Sequence, residues 1–239
     1  MSERLKLWKT KSGYGIFRIL SGRSNVFLLT NRTKNILIDT STSHHWNKLL
    51  RRLNNLGVTQ IDLLVLTHTH FDHAGNAWKI KDKYQASVIV HRCEASFLES
   101  GTMIIPNGTN IITKTLINAF GKLVEPRLNY KPCKFDVLTD EKFELSEFGF
   151  QAYILHTPGH SCGSVSVIVD NEIALVGDTM FGVFKNSIFP PYAEDVSQMI
   201  KSWGKLLDTN CYLYLPSHGS ANSRQLVLQE YQKKLESRI

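Results

Sequence analysis

Apolar residues fall in short runs along the chain, separated by polar punctuation. Runs at 26–29 and 36–38 flank the polar stretch 31–35 and predict a β-hairpin. Runs at 63–66 and 88–90 are short and wholly apolar, as in strands covered on both faces. Further runs at 150–155, 165–169, 173–176 and 212–215 extend the series, with Asp170, Asn171 and Glu172 as a tight turn between two of them. A helical period replaces this pattern elsewhere. Trp46, Leu49, Leu50, Leu53 and Leu56 recur at spacings of three and four, and Gly57 ends them as a C-terminal cap. Val196, Met199, Ile200, Trp203, Leu206 and Leu207 repeat the period, with Asp195 as N-cap and Gln198 at the capping-box position. Residues 91–135 read as one or two helices with loops, and 223–236 as a weaker final helix. Strands, a helix, a strand, a helix, more strands, then a helix and a strand imply a mixed α/β or α+β layering. No internal repeat, low-complexity segment or linker-like stretch interrupts it, so a single domain over residues 1–239 is expected.

Composition narrows the class. Hydrophobic residues at 42% and charged residues at 21% are those of an ordinary globular domain. The net charge is +7, but Lys and Arg are scattered and their densest clusters, Arg51-Arg52 and Lys233-Lys234, are short. A solvated basic surface is therefore expected, with no nucleic-acid partner. Cys93, Cys133, Cys162 and Cys211 include no CxxC pair, so reduced thiols are expected rather than a disulfide framework. The first residues, Met-Ser-Glu-Arg-Leu-Lys, carry an acid with no apolar segment after it, unlike a signal peptide. No apolar run approaches the ~18 residues of a membrane span. The expectation is a cytoplasmic protein with a small-molecule substrate and no membrane partner; oligomeric state is left open.

The chemistry-bearing residues cluster. Just after the run at 63–66 comes Thr67-His68-Thr69-His70-Phe71-Asp72-His73. His68 and His70 are two apart, so on extended backbone they face one side. Asp72 and His73 follow, where a turn can aim them at a second point. Burying three histidines and an aspartate unpaired is costly, and a metal is the simplest partner for them all. His160, Asp178 and His218 each follow an apolar run and stand beside a glycine, in Pro158-Gly159-His160, Gly177-Asp178 and His218-Gly219. Glycine permits the tight turns that bring such side chains to a shared face.

The His-x-His-x-Asp-His motif with the downstream His, Asp and His resembles the metallo-β-lactamase superfamily. Its motif order looks most like the glyoxalase II and general metallo-hydrolase branch, from about Asn25 to Ala221. The resemblance implies an α+β fold, a four-layer αββα sandwich of two mixed sheets flanked by helices, with the site at one edge of the sheets. It implies that His68, His70 and His160 bind a first metal, that Asp72, His73 and His218 bind a second, and that Asp178 bridges them. Branches with a cysteine ligand place it where this chain has Asp178, so they match less well. All seven donors are nitrogen or oxygen, which suits two divalent ions, zinc first, with iron or manganese as alternatives. Such a pair lowers the pKa of a shared water toward about 7 and stabilises a developing oxyanion. The expected reaction is hydrolysis of a carbonyl ester, thioester, lactone or lactam by a metal-bridging hydroxide. Asp72 would orient that hydroxide as well as bind metal, and Asp178 would hold the pair together. The alternatives are iron-dependent sulfur or oxygen chemistry on the same fold, and phosphodiester cleavage.

Other residues carry weaker signals. By resemblance Asp39 supports a metal-bound histidine; its other reading is a turn cap. His156 and His91 read as structural, His44 and His45 as exposed, and Cys162 as a small buried thiol. The loops at 91–135 and 181–192 are expected to recognise substrate. The second holds Phe184, Lys185, Phe189 and Tyr192, which suit a partly apolar substrate with an anionic group. Glyoxalase II itself carries a further helical domain, and this chain extends little beyond His218, so a glutathione thioester fits poorly.

Overall fold

The computed structural model describes residues 5–236, apart from the side chains of residues 122, 124 and 125. Residues 1–4, which carry part of the leader reading, lie outside it. In chain order the first half contains β1 (Lys6–Lys9), β2 (Gly15–Leu20), β3 (Val26–Thr30), β4 (Asn35–Ile38), α1 (Trp46–Asn55), β5 (Leu63–Val65), α2 (Phe71–Ala74), α3 (Ala77–Tyr84), β6 (Ser87–His91), α4 (Ala95–Ser100) and α5 (Ile111–Val124). The second half contains β7 (Val137–Thr139), β8 (Lys142–Glu144), β9 (Ala152–His156), β10 (Val165–Val169), β11 (Ile173–Gly177), α6 (Val196–Asp208), β12 (Leu213–Pro216), β13 (Asn222–Ser223) and α7 (Arg224–Glu236).

The strands form two sheets. One runs β1 to β7 in chain order; the other runs β13-β12-β11-β10-β9-β8. β1 to β4 pair antiparallel, and β4 to β7 pair parallel. Apolar packing divides into three clusters, which define four layers. Phe27, Leu29, Ile38 and Val65 of the first sheet meet Val165, Val167 and Leu175 of the second in the central cluster. Leu28, Leu37 and Leu64, pointing the other way, pack with Leu49 and Leu53 of α1 and Ile80 of α3. Ile168, Val176 and Tyr214 do the same against Met199, Trp203 and Leu206 of α6. Adjacent residues of one strand therefore serve opposite faces, and both faces are covered. This is why the runs carry no polar alternation. The layering is the expected αββα sandwich.

Local signals hold at the caps. Asp195 accepts from the Gln198 N–H at 3.0 Å. Gly57 has φ 72°, and the Val58 N–H returns to the Leu53 carbonyl at 3.0 Å to close α1. Asp170 and Asn171, at φ 55° and 52°, make the β10–β11 turn with two left-handed residues, matching the twist of the hairpin. Residues 91–135 contain two α-helices, α4 and α5. The edge strands β1 and β8, the short strand β7 and helix α3 had no clear pattern in the sequence. β1 and β8 are largely exposed, so nothing selects apolar side chains along them.

Candidate metal centre

Strand direction brings the seven residues together. β9 and β11 both run antiparallel to β10, and β12 runs parallel to β11. The C-terminal ends of β9, β11 and β12 therefore share one edge, and His160, Asp178 and His218 follow them. His68 and His70 follow β5 in the other sheet, and Asp72 and His73 occupy the single turn α2. The Val165 N–H donates to the Thr67 carbonyl at 2.8 Å, which joins the two sheets beside the site. Two glycines allow the close approach. Gly177, at φ 52°, lies where a Cβ would come within 2.8 Å of Thr67, and Gly159, at φ 129°, where one would come within 2.2 Å of the Met199 nitrogen.

The ligand atoms converge in two halves. His68 Nε2 and His160 Nε2 lie 3.0 and 3.1 Å from His70 Nδ1. In the other half, His218 Nε2 is 3.6 Å from Asp72 Oδ2, and His73 Nε2 is 3.9 Å from Asp72 Oδ1. Asp178 touches both halves: its oxygens lie 3.6 Å from His160 Nε2, 3.5 Å from His73 Nε2 and 3.2 Å from His218 Nε2. Among the described residues, three overlapping groups of donors capable of holding a metal result: His68, His70, His160; His68, His73, Asp178; and Asp72, His73, His218. All seven candidate residues thus meet at one place.

Hydrogen bonds on the far side of the rings fix their orientation. The Asp39 carboxylate sits 2.8 Å from His73 Nδ1 and accepts from the Thr67 N–H, the Thr67 hydroxyl and the Ser217 hydroxyl. Asp39 holds a left-handed backbone, φ 63°, which is uncommon for a residue other than glycine, and its buried bonds keep it there. Of its two readings, support of a histidine is the one the geometry matches. His160 Nδ1 donates to the Tyr192 carbonyl at 3.0 Å, leaving Nε2 to face the centre.

The electrostatics of the two halves differ. Burial, reinforced by neighbouring histidines, holds the His68 pKa well below its usual value and takes His70 to about 3. Burial likewise takes His160 to about 4. These rings are neutral and present lone pairs. Burial also opposes charge on His73 and His218, but Asp178 outweighs it, with Asp39 helping at His73, and both pKa values rise. Burial opposes ionisation of Asp178, yet His218 and His73 hold its pKa well below the carboxylate range. This half needs positive charge among its carboxylates. His73 Nε2 and Asp178 Oδ1 are buried without a hydrogen bond of normal geometry. Convergent lone pairs, carboxylates that demand a cation and orphaned polar atoms all fit metal ions.

Two contributors escaped sequence reasoning. Glu94 is 3% exposed. It accepts from the Thr69 N–H and hydroxyl, between His68 and His70, and from the Gly163 N–H, beyond His160. It ties two ligand-bearing loops together, and a Cβ on Gly163 would lie 2.4 Å from its Cγ. Arg23 lines the cavity over the site and lies 3.5 Å from Asp72 through Nε. Neither stands in a motif, since one acid after a strand and one arginine in a turn are commonplace.

Other expectations divide. His91 and His156 stack on each other at 4.0 Å and belong to none of the three donor groups. His44 is exposed and His45 half-buried, with His45 Nδ1 2.8 Å from the Thr42 hydroxyl. Cys162 is exposed rather than buried, because its side chain leaves the turn after His160 on the outer side near the Cys93 carbonyl. Of the loop at 181–192, Phe181 and Tyr192 line the cavity, whereas Phe184 is 60% exposed and Phe189 packs against Trp203.

Comparison with known proteins agrees with this architecture. The family described as the metallo-beta-lactamase superfamily matches residues 21–218, and the chain belongs to it. A protein of Methanocaldococcus jannaschii named a probable metallo-hydrolase is 32% identical over 170 residues, 71% of this chain and 70% of that protein. A Pelagibacter ubique protein named hydroxyacylglutathione hydrolase is 25% identical over 73% of this chain and 59% of its own length. The crystal structure of an archaeal superfamily protein from Sulfolobus tokodaii aligns with TM-score 0.63 and 20% identity, covering 89% of this chain and 80% of that one. Among the described residues, no helix is long and apolar enough to cross a membrane.

Proposed function

We propose that the chain, acting as one domain, is a dinuclear metallo-hydrolase that cleaves a carbonyl ester, thioester, lactone or lactam of a small molecule. The observation that carries this reading is the convergence of seven nitrogen and oxygen donors in overlapping groups, with Asp178 in contact with both halves. His68, His70 and His160 would hold one ion, Asp72, His73 and His218 a second, and Asp178 would bridge them; zinc suits these donors, with iron or manganese as alternatives. Two such ions would supply a water of lowered pKa and polarise a carbonyl oxygen. The protein supplies orientation. Asp39 holds His73 through Nδ1, and the Tyr192 carbonyl holds His160, so both rings present a fixed nitrogen. Asp72, at the cavity wall, would hold the second ion and orient the attacking water through its carboxylate. Met103, Ile105 and Pro106 form an apolar wall beside the site.

Relatives with printed hydrolytic names support the class. One is the Pelagibacter protein, and another is an Aspergillus fumigatus protein named atrochrysone carboxyl ACP thioesterase, 23% identical over 92% of this chain and 61% of its own length. Elemental analysis of the purified protein is expected to give about two metal ions per chain. Thioester, lactone, cephalosporin and phosphodiester panels are expected to show turnover among the carbonyl substrates. Asp178→Ala should lose metal and nearly all turnover. One iron per chain, or near-normal turnover in that variant, would overturn the dinuclear mechanism.

A further inference from the structure

The cavity beside the ligands has a volume of about 360 Å³, near the small end of the ~300–1,000 Å³ usual for small-molecule sites. Its wall is asymmetric. Met103, Ile105, Pro106, Ile117 and Leu128, from α5 and the segments flanking it, make one side apolar. Arg23 is the only Lys or Arg lining it among the described residues. Its guanidinium lies over the Phe71 ring at 5.1 Å, and it pairs with Asp72 through Nε. Stacking and this tether pre-orient the fork while its side chain stays 57% exposed. Because Asp72 belongs to the reacting centre, an anion met by Arg23 lies close to the bond that breaks.

We infer that the cleft selects acyl substrates that combine an apolar chain with a carboxylate near the scissile bond, the chain packing on the wall of residues 103–128 and the carboxylate meeting Arg23. This rests on the hydrolase reading above and names its substrate class. Apolar surface supplies affinity that grows with each buried methylene. The arginine supplies orientation, since a planar fork matches a carboxylate's two oxygens. Lys185, in the loop expected to provide a cation, does not line the cavity.

The test uses matched thioesters. Acetyl, butanoyl and octanoyl groups are joined either to N-acetylcysteamine, which is neutral, or to mercaptopropionate, which carries a carboxylate. In the metal-loaded protein, kcat/KM should rise about fourfold per methylene while the chain fits the wall. Mercaptopropionate esters should be preferred, and Arg23→Gln should reduce that preference about tenfold, the low end for a charge-assisted bond at a half-exposed site. Ile117→Ser should flatten the chain-length series. Calorimetry with uncleavable thioethers gives a readout separate from turnover: 3-(octylthio)propanoate should bind at least about tenfold more tightly than 3-(ethylthio)propanoate, and Arg23→Gln should weaken the octyl compound about tenfold. If no thioester or lactone is cleaved, the hydrolase reading fails and calorimetry alone decides the binding claim. Flat chain-length dependence, or unchanged affinity of Arg23→Gln for 3-(octylthio)propanoate, overturns the inference.

Discussion

Replacing Glu94 with alanine separates stability from metal positioning. The carboxylate is buried and accepts from the Thr69 N–H at 3.0 Å, the Thr69 hydroxyl and the Gly163 N–H at 3.2 Å. The hydroxyl can turn to another acceptor after the change, but the two backbone N–H groups cannot. Each orphaned donor costs about 1–3 kcal/mol, so the variant should lose about 2–6 kcal/mol of stability. Part of that loss should appear only when metal is bound. Thr69 sits between His68 and His70, and Gly163 follows His160, so untying them widens the imidazole half of the centre. Loss of such a supporting bond typically weakens metal binding about 10–100-fold. Glu94→Gln keeps one acceptor oxygen and should fall between the two proteins.

The assay is a pair of measurements. Thermal unfolding with zinc and with chelator gives the stability of each state. Competition with a chromophoric chelator gives zinc affinity directly. The expected result is a larger destabilisation of the zinc form than of the metal-free form, matched by weaker zinc binding. Equal destabilisation of both forms, with zinc affinity unchanged, would refute the positioning role and leave Glu94 a bond within the scaffold.

Acid and base should both destabilise the metal-free protein. His68, His70 and His160 have folded pKa values below the ordinary value of about 6.5, so the unfolded chain binds more protons as pH falls below that value and stability declines toward about pH 3–4. His73 and His218 have raised values, so their contribution is complete below pH ~6.5 and is lost as pH rises through their folded values. Melting curves of chelated protein across pH should therefore peak near pH ~6.5, and zinc should remove the alkaline decline; a monotonic rise with pH would contradict the assignment of charge to the two halves. Gly159→Ala should disrupt the turn before His160, because a Cβ there would meet the Met199 nitrogen at 2.2 Å and φ is 129°. A soluble, wild-type-like melt for that variant would show that the turn and α6 can move apart cheaply.

The sequence made the layers and the ligands legible for the same reason. Strands buried on both faces are mostly apolar, and Val165–Val169, interrupted only by Ser166 with its hydroxyl 2.8 Å from that of Thr157, and Ile173–Gly177 stand out for it. His and Asp are good metal ligands, and seven of them gathered near strand ends are costly to bury without a metal. Asp39 was half legible: its type and place were clear, but its bonds to His73, Thr67 and Ser217 depend on the meeting of both sheets. Glu94 and Arg23 were invisible because their partners lie far along the chain, from Glu94 to Gly163 and from Arg23 to Asp72.

The recognition wall was harder to read for a physical reason. Its helix, α5, covers the cavity with Ile117 yet exposes Ile111, Ile112, Leu116 and Phe120, so apolar residues appear around it with no single buried face. An amphipathic period normally tells which side meets the core. Here the helix spans an opening instead of covering a sheet, and no such constraint acts on most of its surface. On the proposed reading, the seven donors set the chemistry, while the choice of substrate would reside in Ile117, Leu128 and Arg23, which line the cavity. Changing Ile117 and Leu128 should alter which substrate is turned over without altering how many metal ions the chain holds. Substitutions at the seven donors should do the reverse, lowering metal content and with it the turnover of every substrate alike.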